Sequence, residues 1–152
     1  MDDTSRYPAL SPLARQAGFL GVLPFVAALA GVLSGSTELR LLGERLALGW
    51  GAAILAFVAA VHWGLALAGR WRWSLGVVIS STLPSLIGAL AVVLGGSRGT
   101  ALLLVGFGFF WLHEHRCHGE ELPPDYLQLR RVLSLTVCIL LALITIGLGE
   151  SS

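Results

Sequence analysis

Trp73–Ser97 reads WSLGVVISSTLPSLIGALAVVLGGS, 25 consecutive residues without a charge. A bilayer core about 30 Å thick takes about 20 mostly apolar residues per helix, so this stretch alone is long enough to cross one. Four more uncharged runs repeat the pattern: Gln16–Thr37 (22 residues), Leu46–Gly69 (24), Gly99–His113 (15) and Val132–Gly149 (18). Lipid offers no water to satisfy peptide groups, so runs of this length read as helices. The sequence predicts an all-α, polytopic integral membrane bundle of five transmembrane helices in a single domain.

Composition agrees. The chain is 55% hydrophobic and 12% charged, against about 25% charged residues in soluble domains. Its net charge of +1 and scattered arginines give no basic patch for a nucleic acid. Residues 1–16 form a short polar N-terminal tail. The spans are expected at about 17–33, 46–68, 73–94, 100–115 and 124–148, filling the domain 17–149. The fourth is short. Its 15 uncharged residues rise only about 22 Å, so it must continue helically through His113, Glu114 and His115 or thin the bilayer.

Arginine counts set the orientation. Arg6, Arg15, Arg70, Arg72, Arg116, Arg130 and Arg131 fall on one side, and Arg40, Arg45 and Arg98 on the other. Seven against three predicts the N-terminus inside and the C-terminus outside. Trp50 at the start of span two, with Trp71 and Trp73 at its exit, suits an interfacial belt. The leading Asp2-Asp3 is wrong for a cleaved signal peptide, so the first run reads as a retained span.

Pro24 and Pro84 lie near the middle of their spans, each freeing a carbonyl, those of Leu20 and Ser80. Around Pro84 the polar patch Ser80-Ser81-Thr82-Leu83-Pro84-Ser85 sits at membrane depth. Either the two prolines mark a midplane route, or serine hydroxyls and neighbouring helices satisfy the freed groups. His62 is the one ionisable residue well inside a span, and intramembrane ionisable groups are functional candidates. A bundle-bonded neutral histidine, a proton-relay or ligand-binding histidine, and a haem ligand partnered by His113 all fit. His113, Cys117 and His118 also suggest a metal site, although they lack the HExxH order. His62, Trp63, Glu114, Asp125 and Arg130 map to the inner half of the chain and, with Ser81, complete the candidates. Ala52, Ala56, Ala60 and Gly64 recur every four residues and predict a helix-packing ridge.

Four strings carry a family likeness: Gly21-Val22-Leu23-Pro24-Phe25, Trp50-Gly51-Ala52-Ala53-Ile54-Leu55-Ala56-Phe57 running on to His62-Trp63-Gly64, Leu83-Pro84-Ser85-Leu86, and Pro123-Pro124-Asp125-Tyr126-Leu127-Gln128-Leu129-Arg130. Together, over about Ala17 to Leu148, they resemble the small five-span membrane family that includes animal transmembrane protein 69, whose bacterial members are labelled a domain of unknown function. The resemblance implies an inner membrane, the bacterial cytoplasmic membrane or, in a eukaryote, the mitochondrial one. It brings no established activity or site. The chain departs from the family pattern at two places. The pattern puts an Asp after span four and a Trp-Tyr pair at the start of span five, where this chain has His113-Glu114 and Asp125-Tyr126.

Three functions follow from the sequence. One is a non-enzymatic accessory, assembly or scaffold component, with the lipid bilayer and other membrane subunits as partners. Another is a small transporter or channel-like protein with a polar route near His62 and Pro84. The third is a haem- or quinone-binding protein. No catalytic set and no cofactor is expected from the motifs themselves.

Overall fold

A computed structural model of the chain describes residues 10–118 and 122–150, the side chain of His118 excepted. Six helices make up the described fold: α1 (Pro12–Leu20), α2 (Leu23–Leu33), α3 (Thr37–Leu67), α4 (Leu75–Leu94), α5 (Gly96–His118) and α6 (Pro124–Gly149). Four segments are long and apolar enough to cross a membrane: Pro12–Leu33, Thr37–Leu67, Leu75–Leu94 and Pro124–Gly149. Burial is inside out for a water-soluble protein. Leu13, Phe57 and Val93 are more than 70% exposed, whereas His62, Glu114 and Arg130 are 0, 1 and 7% exposed. Apolar surface on this scale needs a non-aqueous solvent, and the chain is a membrane-embedded protein.

Short connections make successive helices neighbours. α2, α3, α4, α5 and α6 each pack on the next, α6 closes the ring against α2, and α3 meets α5 across the middle. Phe25, Leu55, Leu103, Phe107 and Leu141 fill the centre, with Phe25 edge-on to Phe107 at 6.4 Å between centroids. α5 is not among the four apolar segments, because Arg98 and the His113–Arg116 run dilute it. It nevertheless supplies buried Leu103, Phe107 and Phe110. The helix gains length at both ends relative to the expected 100–115. Its 23 residues rise about 34 Å, so the polar His113–Arg116 turn is helical.

The first span differs from expectation. Pro24 does not kink one helix. The chain ends α1 at Leu20 and restarts as α2, with Pro24 in the first turn, where its missing N–H is tolerated. The break turns the Phe25 amide onto Val22, leaving the Gly21 carbonyl to accept from Trp50 Nε1 at 2.8 Å. Trp50 is therefore a cross-link near the middle of α3, not a belt residue at its start. Trp50→Phe keeps the ring and removes the donor; a loss of about 1 kcal/mol is expected, read as a lower unfolding midpoint in detergent.

α3 starts at Thr37, nine residues before the expected 46, because Ser36 caps it through Leu39 N. Arg40 and Glu44, expected in a loop, are thus helical and reach the far ends of two other helices. Glu44 Oε1 accepts from Gly96 N at 2.7 Å, and Arg40 Nη2 donates to Leu148 O at 2.8 Å. A carboxylate at a helix N-terminus and a guanidinium at a C-terminus both complement the helix dipole. Between α4 and α5 the chain turns on Gly95 and Gly96, with φ of 61° and 54°, a left-handed backbone that glycine adopts at little cost.

The predicted ridge is only partly an interface. A Cβ added at Gly88 would lie 3.0 Å from Ala52 Cα, so α3 and α4 touch closely there. Ala56 is half-buried, but Ala60 and Gly64 are exposed. Ala52 and Ala56 already sit at the edge of the buried face, so further four-residue steps of about 40° each carry the line onto the exposed side. The buried line of α3 lies beside it: Gly43, Ala47, Gly51, Leu55 and Ala59, then one three-residue step to His62 and on to Ala66, with Leu48 next to it.

Candidate functional site

The antiparallel ring brings the C-terminal ends of α3 and α5 level with the N-terminal ends of α4 and α6. At that level the core turns polar. Glu114 is the hub: its Oε2 accepts from Arg130 Nε at 3.1 Å, and its Oε1 lies 3.4 Å from His62 Nε2. On the other side of the imidazole, His62 Nδ1 is 2.9 Å from Ser80 Oγ. Four helices thus contribute one group each. Aromatic rings close the site. Trp71 and Phe110 lie 5.1 and 5.3 Å from the His62 ring, and the Arg130 guanidinium sits 5.4 Å over Phe110.

Local structure explains each placement. α3 ends at a turn in which Gly69 has φ 70° and the amides of Arg70 and Trp71 both donate to Leu65 O. That turn folds Trp71 back over His62. On α5, Phe110 and Glu114 are four apart, and on α6 so are Tyr126, Arg130 and Ser134; such spacings share a helix face. Tyr126 lies within electrostatic reach of Glu114 and Arg130.

Moving a charge from water into a protein interior costs several kcal/mol per ion, offset only by close pairing. Here the Arg130–Glu114 pair supplies that compensation, and the ring beside it can carry the proton in more than one way. Ser80 Oγ has two acceptors in reach: His62 Nδ1 and, at 3.2 Å, its own helix's Val77 O. With neutral His62, Nδ1 accepts from the serine, while Nε2 lies 3.4 Å from Glu114 Oε1 without hydrogen-bond geometry. With imidazolium, both ring nitrogens donate, and the hydroxyl swings its hydrogen to Val77 O. Both forms fit one heavy-atom arrangement.

Of the candidates from sequence, His62, Glu114 and Arg130 meet in one cluster. Arg130 is buried, because its face of α6 turns toward α5. Ser81 is not in the cluster; its hydroxyl donates to Val78 O at 3.0 Å, and Ser80 takes the place beside His62. Pro84 is buried inside an unbroken α4, one turn beyond Ser80. Trp63 is 42% exposed and packs edge-on against Trp73 at 5.0 Å. Asp125 is exposed in the first turn of α6 and lines a shallow groove with Arg15 and Gln128. Pro24 is at the α1–α2 break. His113 stacks on Phe109, with Cys117 Sγ 3.7 Å from its Nδ1. The side chain of His118 is outside the described residues, among which no three His, Cys, Asp or Glu side chains are grouped to hold a metal.

Trp71, Phe110 and Ser134 are not among the candidates from sequence; Ser80 lies in the polar patch that is, beside the Ser81 singled out there. The four-residue spacings Phe110–Glu114 and Arg130–Ser134 were the available signal.

A family model described as "Protein of unknown function (DUF3429)" matches residues 11–146, a range that holds every residue of the cluster. The chain belongs to this family. Comparison with curated proteins and with solved structures returns no match. The family description specifies no activity.

Proposed function

We propose that this DUF3429 protein is a small proton-handling membrane protein, transporter-like in mechanism, whose working centre is His62 with Glu114, Arg130 and Ser80. One observation carries the reading: the His62 ring stands between a carboxylate and a hydroxyl that has a second acceptor. The ring can therefore take or release a proton with no heavy atom moving. Intramembrane ionisable groups of this kind mark proton relays. The full proposal places α5 across the membrane as a fifth span, the N-terminus inside and the cluster toward the inner face. It also places the protein in a bacterial cytoplasmic or mitochondrial inner membrane, with kinship to animal transmembrane protein 69.

The test is proton flux into liposomes driven by a pH gradient, read with an internal dye. His62→Phe, which keeps ring bulk and both aromatic contacts, is expected to abolish the protein-dependent flux. Ser80→Ala should reduce it strongly, and Ser81→Ala, whose hydroxyl serves only its own helix, should leave it unchanged. Equal flux through the parent and His62→Phe removes the proposal.

A second reading, an accessory or assembly subunit, has its own support. Gly49, Ala53, Ala60 and Gly64 share one exposed face of α3, and a Cβ at Gly49 or Gly64 would meet no atom within 4 Å. Small residues on a lipid-facing surface let a second helix approach closely. Affinity purification in mild detergent should then recover a stoichiometric membrane partner that Gly64→Leu releases; purification without any partner overturns it.

A further inference from the structure

α1 and α6 run parallel from the same end of the bundle, and a groove opens between their first turns. Gly18 sets their approach: a Cβ there would lie 2.8 Å from Leu133 Cδ1 and 3.7 Å from Leu129 Cδ2. Just before that contact, Arg15 and Phe19 of α1 share a groove of about 160 Å³ with Asp125, Gln128, Leu129 and Val132 of α6. The α6 residues follow three- and four-residue spacings and so stand on one face of the helix.

Polarity is graded along the groove. Arg15, Asp125 and Gln128 lie near the helix starts, and Phe19, Leu129 and Val132 lie further along. Arg15 and Phe19 also line an adjoining space of about 520 Å³ with Gln16, Leu20 and Leu23, at the bend where α1 gives way to α2. Phe19, Leu20 and Leu23 are all exposed there. A charged mouth that leads onto an apolar wall has the polarity of a phospholipid, headgroup first and acyl chain after.

We infer that this groove holds one phospholipid whose headgroup carries a primary amine. Its phosphate sits on Arg15, its ammonium on Asp125, and an acyl chain runs along Phe19, Leu20 and Leu23. Charge decides among headgroups. Arg15 and Asp125 are exposed, and neither belongs to an ion pair among the described residues. Their charges cancel, which suits a zwitterion. An anionic headgroup would satisfy Arg15 and leave Asp125 beside a second negative charge. A primary ammonium brings three N–H donors to the carboxylate. A quaternary ammonium brings none and is recognised by aromatic cages, whereas Phe19 is the one aromatic ring lining this groove. The inference stands apart from the proton reading, since no lining residue belongs to the His62 cluster.

Native mass spectrometry of the full chain in detergent is the test. Phosphatidylethanolamine, phosphatidylcholine and phosphatidylglycerol with identical acyl chains are titrated separately. The parent is expected to bind a single phosphatidylethanolamine about tenfold more tightly than either other lipid. Asp125→Asn should weaken phosphatidylethanolamine alone, by about tenfold, and Arg15→Gln should weaken all three. Both side chains are exposed, so the variants should unfold at the parent's midpoint when no lipid is added. Arg131→Gln, outside the groove, should bind as the parent does. Equal binding of the three lipids by the parent, or a preference for either of the other two, overturns the inference. So does a phosphatidylethanolamine preference that Asp125→Asn leaves intact, or uptake with no saturable first site, which marks ordinary surrounding lipid.

Discussion

Glu114→Gln is expected to destabilise the protein by about 3 kcal/mol or more, the range for removing one member of a buried ion pair. The substitution keeps the side chain's shape and deletes only its charge. His62 can respond by giving up a proton, but Arg130 cannot, since a guanidinium stays protonated in proteins. The cost therefore falls on Arg130, 7% exposed and held at 3.1 Å by the lost carboxylate. Arg130→Met should be milder, because Glu114 can be neutralised by a proton or paired with protonated His62. The double variant Glu114→Leu with Arg130→Leu should recover most of the parent's stability, because apolar replacements of buried pairs are often neutral, and still carry no proton flux. Thermal unfolding in detergent checks all three. A Glu114→Gln midpoint equal to the parent's would show that the buried pair is not holding α5 to α6.

The second large effect is at the crossing of α2 and α3. A Cβ on Gly43 would fall 2.5 Å from Ala28 O and 3.0 Å from Val32 N, and one on Gly31 would fall 2.7 Å from Leu39 O. These are backbone atoms and cannot turn aside. Gly43→Leu must push α2 off α3, exposing Phe25 and Ala28, which are fully buried. Overpacking of this kind costs about 3 kcal/mol, read as loss of the folded, monodisperse species in detergent. Gly49→Ala is the control. Nothing lies within 4 Å of its added methyl, and replacing a mid-helix glycine with alanine stabilises by up to about 1 kcal/mol. Equal behaviour of the two variants would mean that α2 does not pack on α3 at this distance.

Particular residues show why some features were legible in the sequence and others were not. His62 was found because a single ionisable group in a 24-residue uncharged run is conspicuous. For Glu114 and Arg130, counting along the chain gives height in the membrane and nothing more. Burial depends also on azimuth, the direction in which a residue faces around its helix. The Ala52–Gly64 line failed in the same way: its spacing was right for a helix surface and silent on where a neighbour ends. Pro24 gave the position of a break and not its form, which depended on Trp50 arriving from α3 to take the Gly21 carbonyl.

The solvent and the helical character of the chain were legible in its local pattern. Long uncharged runs cannot remain hydrated, and a backbone in lipid must bond to itself, so helices follow, although the first run divides in two and α3 begins nine residues early. Packing between helices brings His62, Ser80, Glu114 and Arg130 together, carries Arg40 and Glu44 to the ends of α6 and α5, and leaves Ala60 and Gly64 facing outward. Those outcomes depend on how each helix is rotated against its neighbours. That rotation is set by contacts between residues far apart in the chain, such as Gly31 with Gly43 and Gly88 with Ala52, and no local pattern encodes it.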